Sequence, residues 1–127
     1  IRKKIFHSLG GYNNFFHICG DFEFNIRMSN IHKVIGLKEH LAYYRVHNKN
    51  ISRDLDKEII ELNYCKEIFK KENYHNLKKF ENYLNYRKFK NNLVKNDKLK
   101  AFKIFLDLKF SFLKLKALIL FFWRILN

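Results

Sequence analysis

The chain has 127 residues, enough for one modest domain around a single core, and it carries 26 basic against 12 acidic side chains, a net charge of +14. That excess favours anionic partners such as nucleic acid, anionic lipid or a phosphorylated substrate, without choosing among them. Two cysteines far apart, Cys19 and Cys65, give neither a disulfide framework nor metal-ligand spacing, so a reducing cytoplasmic setting is expected.

In chain order, residues 2–9 place Ile5, Phe6 and Leu9 at helical spacing and stop at Gly10-Gly11. Tyr12 to Gly20 reads as a loop with Asn13-Asn14 as turn formers. A second helix is expected from Asp21 to Asn30, opening on an acid suited to the partial positive charge of a helix N-terminus. Val34-Ile35 and the run Leu41 to Val46 are β-branched or aromatic enough for short strands, connected by Gly36 to His40. Asn48 to Ser52 is a polar loop, with Ser52 or Asp54 as the next helix cap.

From Arg53 onward there is neither Gly nor Pro, so nothing forces a helix to break. Leu55, Ile59, Leu62 and Phe69 predict one amphipathic helix over 54–72. Leu77, Phe80 and Leu84 predict another over 76–93, with Asn73 to Asn76 and Asn91 to Asp97 as the breaks. Residues 98–127 differ, with six Lys and one Arg against one Asp, and seven Phe and Trp. On one helical wheel Lys100, Lys103, Asp107, Ser111 and Lys114 form a polar stripe, and Lys98, Lys109 and Lys116 form a second nearly opposite. Residues 108–116 also alternate, which leaves a strand open for that piece. The charge-free run Ala117 to Trp123 is far short of the roughly 20 apolar residues of a membrane span. An interfacial helix with snorkelling lysines on an anionic membrane surface is the physical expectation.

Three blocks concentrate the chemically capable residues: Gly10-Gly11-Tyr12, then Asp21-Phe22-Glu23-Phe24-Asn25-Ile26-Arg27, then Tyr44-Arg45-Val46-His47 running on to Asn50-Ile51-Ser52. Together with the basic-apolar helix before them, their order resembles the C-terminal part of the catalytic domain of family 2 glycosyltransferases, inverting enzymes of the GT-A fold. The resemblance covers residues 1–52. It implies a fold class: an α/β remnant, the C-terminal part of a Rossmann-like domain, followed by a mainly α-helical tail. The organisation expected is 1–52 as the acceptor-side part of a catalytic domain, 53–97 as a helical region and 98–127 as a basic aromatic segment. It further implies that the nucleotide-binding half, with its metal-binding Asp-x-Asp, lies upstream of Ile1, so that this chain is a fragment.

By the same resemblance Asp21 is the catalytic base, which must reach the acceptor hydroxyl as its oxygen attacks the anomeric carbon. Gly10, Gly11 and Tyr12 belong to an acceptor-side loop, with the ring able to stack on a sugar face. Glu23 shapes the acceptor pocket or holds a neighbouring loop, and Arg27 braces a loop or meets a phosphate. Arg45 neutralises the leaving diphosphate and His47 reaches a divalent metal, Mg²⁺ or Mn²⁺. The expected partners are a nucleotide-sugar donor and a surface-glycan or lipid-linked acceptor, at the inner face of a membrane. Plainer readings stand beside these: Asp21 as a helix cap, Glu23 as a first-turn acid, Arg27 in a structural ion pair, Gly10-Gly11 as a helix stop followed by Tyr12 as a core residue, His47 as a solvated loop residue. The remaining histidines, His7, His17, His32, His40 and His75, show no ligand spacing. Two other classes compete with the enzyme. One is a nucleic-acid-binding module, disfavoured because the lysines of 54–93 are interleaved with Glu and no nucleic-acid motif is present. The other is a non-catalytic helical interaction protein.

Overall fold

A computed structural model of the chain describes residues 1–47, 49–109 and 112–126. The chain divides into two compact units, Ile1–Asp54 and Leu55–Asn127. All regular structure among the described residues is helical.

In the first unit, α1 runs over Lys3–Ser8 and α2 over Gly20–Ile31, and a single 3-10 turn spans Ile51–Arg53. α1 is too short to persist alone and is closed by a double-glycine cap. The Gly10 N–H donates to the His7 carbonyl and the Gly11 N–H to the Phe6 carbonyl, both at 3.0 Å, which is the Schellman pattern. Both glycines have positive φ, and a Cβ on Gly11 would meet the Phe6 ring at 3.2 Å. Three rings then pack on one another: Phe6, Tyr12 and Phe24 have centroids 5.2–5.3 Å apart in each pairing. Phe24, wholly buried, is the centre of this small core, which Phe16, Cys19 and Met28 complete.

The expected α/β remnant is not what the chain forms. Residues 33–46 contain no strand, and Val34, Ile35, Leu41, Tyr43 and Val46 are exposed, Tyr43 fully so. The cause is the absence of a pairing edge. β-branched and aromatic residues favour strands because they pack on a pleated neighbour, and the described residues supply none.

The second unit is four helices: α3 over Leu55–Lys71, α4 over Leu77–Val94, α5 over Lys98–Asp107 and α6 over Phe112–Leu126. α4 is central and packs against each of the other three. α3 and α4 form an antiparallel hairpin around Leu62, Cys65, Phe69, Phe80 and Leu84. Polar pairs run down its side in descending register: Asp56 with Asn91 and Lys95, Glu58 with Arg87, Lys66 with Glu81. A second cluster, Tyr86, Phe89, Leu93, Ala101, Leu108 and Ala117, joins α4 to α5 and α6.

In this glycine-free half, asparagine closes α3 and α4. Asn73 and Asn96 have positive φ. Behind them the Tyr74 N–H reaches the Phe69 carbonyl and the Asp97 N–H reaches the Asn92 carbonyl, both at 2.9 Å, repeating the α1 cap. Asp97 then caps α5, accepting the Lys100 N–H at 3.0 Å.

Residues 98–127 are therefore two helices and not one. α5 ends where Leu108 turns extended and buries its side chain, while Asn82 of α4 accepts the Lys109 N–H at 3.0 Å. The strand left open over 108–116 is replaced by the start of α6 at Phe112. Ser111 of the expected polar stripe lies outside the described residues, as do Phe110, Asn48 and Asn127. No helix among the described residues is long and apolar enough to cross a membrane.

Candidate functional site

The site is built by a side chain that reaches back along the chain. Arg27, in the middle of α2, forks onto Glu23 one turn earlier: its Nε donates to Oε1 at 2.8 Å and its Nη2 to Oε2 at 3.1 Å. The same guanidinium donates to the Gly11 carbonyl at 2.8 Å and to the Leu9 carbonyl. Four of its five N–H directions are thereby used, which a lysine could not reproduce. Glu23 is 2% exposed, so its charge is tolerable only because the guanidinium pairs with it in a fixed fork. Arg27 also lies against the Phe24 ring, 5.3 Å from its centroid.

The Gly10-Gly11-Tyr12 loop, Glu23 and Arg27 thus come together. Of the roles weighed for Arg27, bracing a loop, meeting a phosphate or making a structural ion pair, its geometry is that of a brace that is also an ion pair, with Glu23. Glu23 likewise holds the loop through Arg27. Gly10 and Gly11 cap α1, and Tyr12 keeps about half of its surface open while its ring edge packs on Phe6 and Phe24.

Asp21 is in the first turn of α2, two residues before Glu23, and is exposed. Its Oδ1 accepts the N–H of the next residue, Phe22, at 2.7 Å. The helix starts at Gly20 with Cys19 as its cap, so Asp21 is inside the helix and not at the cap position. Its carboxylate projects to solvent from a helix whose position is fixed by the Arg27 brace.

Arg45 and His47 stand on another loop, organised by Asn50. The Asn50 amide nitrogen donates to the Tyr44 hydroxyl at 3.0 Å and to the Arg45 carbonyl at 2.9 Å, and its amide oxygen accepts the His47 N–H at 3.0 Å. Tyr44 and Ser52 share a hydrogen bond of 2.7 Å. The Ser52 hydroxyl, then the Asn50 amide, hold the Tyr44 phenol below its ordinary pKa. Asn50 received no role from the sequence. The signal that could have found it is Asn five residues after Arg45 in a Gly-free polar loop, where a side-chain amide must replace missing backbone bonds.

The His47 Nδ1 accepts the Lys49 N–H at 3.2 Å, within its own loop. Among the described residues no three His, Cys, Asp or Glu side chains are grouped to hold a metal ion. A groove of about 410 Å³ in the same unit is lined by Ile1, Arg2, Ile5, Met28 and residues 32–35, and by none of the predicted site residues.

Comparison with known protein families, with curated proteins and with solved structures returns no match.

Proposed function

We propose that residues 1–52 are the acceptor-side piece of an inverting glycosyltransferase, with Asp21 as the base. One observation carries this reading: the Glu23–Arg27 fork ties the Gly10-Gly11 loop to the helix that displays Asp21. Blocks separated by ten residues or more in sequence are thereby held together, one with a half-open aromatic ring and the other with an exposed carboxylate. That is what an acceptor sugar requires, a face to stack on and a base for its hydroxyl.

In this reading Asp21 accepts the proton of the acceptor hydroxyl as that oxygen bonds to the anomeric carbon. The bond from that carbon to the diphosphate breaks on the opposite side, which inverts the configuration. Tyr12 orients the acceptor ring, Glu23 and Arg27 keep the loop in place, and Arg45 supplies positive charge for the departing diphosphate.

The test is nucleoside diphosphate release by the complete polypeptide that carries these residues, offered nucleotide-diphospho-sugars and a glycan acceptor. Asp21→Asn is expected to lower turnover about a hundredfold or more with unchanged helical circular dichroism. Turnover that survives Asp21→Asn, or a folded parent protein that releases nothing, overturns the proposal.

A further inference from the structure

The strongest unassigned feature of the second unit is the outward face of α6. A helix packed on a core ordinarily turns polar residues to water. α6 buries Ala117 and packs Leu113, Leu120 and Phe121 inward. Its opposite side nevertheless carries Leu115, Leu118, Ile119, Phe122, Trp123 and Ile125, all exposed, with Trp123 at 60%. These recur three and four residues apart, so they form one continuous apolar face. Lys114 borders that face on one side and Lys116 on the other. With Arg124 they are the only charged side chains of the helix, which contains no acid.

α5 extends the surface. Leu99, Phe102 and Leu106 form an exposed stripe along it. The Phe102 ring lies 5.7 Å from that of Phe121, which is 6.3 Å from Phe122 on α6. Lys98, Lys100 and Lys103 surround the stripe. A groove of about 340 Å³ opens beside α6, apolar along Leu93, Val94, Leu120 and Trp123, with Lys90 and Arg124 as its cations.

We propose that α5 and α6 form a docking face for an anionic membrane surface. Charge complementarity selects this occupant. Residues 98–127 carry seven cations and one acid, so a second copy of the same face would set like charges against each other. A nucleic-acid backbone would satisfy the cations and leave the apolar residues between them in water. An anionic bilayer answers both: the apolar residues enter the boundary of the acyl chains, and the lysine stems run along them to place their ammonium groups among the phosphates. No described helix is long and apolar enough to cross, so the geometry is that of a helix lying in the interface. The inference uses neither Asp21 nor the Arg27 brace and stands apart from the catalytic reading.

Trp123 is the one tryptophan of the chain and reports directly on this face. The full chain is titrated with vesicles of phosphatidylcholine alone and of phosphatidylcholine mixed with phosphatidylglycerol. A solvent-like emission in the free protein is expected to shift to the blue with the anionic vesicles only, with an affinity that falls as salt rises. Phe122→Glu, and separately Lys116→Glu with Arg124→Glu, each lower that affinity about tenfold or more with helical circular dichroism unchanged. Four outcomes overturn the proposal: no shift with either vesicle, an equal shift with both, a blue emission already present without vesicles, or tighter binding of an oligonucleotide than of the anionic vesicle.

Discussion

The Arg27 guanidinium holds the carbonyl of Gly11, sixteen residues earlier in the chain, at 2.8 Å. That bond makes a loop and a helix into one object. The Gly10-Gly11 turn could close α1 without it, and the packing of Phe6 and Tyr12 on Phe24 would then be the main tie between that turn and α2.

Arg27→Lys is expected to destabilise the first unit by about 2 kcal/mol, since a point charge cannot serve the Glu23 fork and two carbonyls together. Urea unfolding, with near-ultraviolet circular dichroism of the Tyr12 region, measures it. A variant as stable as the parent would show that the brace contributes nothing.

Glu58 and Arg87 pair across α3 and α4 with little solvent access to either side chain. Burial works against the Arg87 charge, and the Glu58 carboxylate outweighs it, holding the guanidinium pKa above its ordinary value. Glu58→Gln leaves that charge without its counterion and is expected to cost about 2 kcal/mol, short of the figure for a fully buried pair. The double variant Glu58→Leu with Arg87→Met should be less destabilised than the two single losses added together. Additive losses would show that the two groups do not act as a pair.

Acid should loosen the helical unit in a narrow range. Lys95, then Asn91, hold the Asp56 carboxyl below its ordinary 3.8, and Lys100 does the same for Asp97. A folded pKa below the unfolded one gives stability that is present above about 3.8 and is lost as pH falls through the folded value. Thermal midpoints should therefore be flat from neutrality down to about pH 4 with respect to these groups and fall below it. Asp97→Ala, which also removes the α5 cap, should lower the midpoint by a few degrees at neutral pH and flatten the acid slope. An unchanged slope would show that Asp97 is not titrating there.

Asn96 adopts positive φ at the end of α4. Asn96→Gly should leave stability equal or higher, and Asn96→Val should cost about 1–2 kcal/mol, because a β-branched residue resists that backbone region. Equal effects of the two substitutions would show that the cap tolerates any residue.

The first four helices of this chain were legible in its sequence. α2, α3 and α4 each begin and end within two residues of their expected bounds, because apolar periodicity and Gly or Asn at the stops are local signals. The stretch 33–46 was misjudged for the same reason: its residues suit a strand locally, yet a strand exists only against a partner, and the described residues offer none. In the candidate site the sequence did not show that Arg27 joins Glu23 to the Leu9 and Gly11 carbonyls, or that Lys49 engages His47 Nδ1, because these bonds depend on how the loops fold back.

What the sequence determined by itself was composition, charge, helix spacing and the residues able to do chemistry. Only the tertiary structure decided the break after Asp107. Leu108 is buried and Asn82, twenty-seven residues before Lys109, accepts its N–H, so a run with no Gly or Pro is bent by packing. That bend sets α6 in a register of its own. Lys114 and Lys116 then fall at the two borders of an apolar face, and not one in each of the two polar stripes that a single helix would have carried.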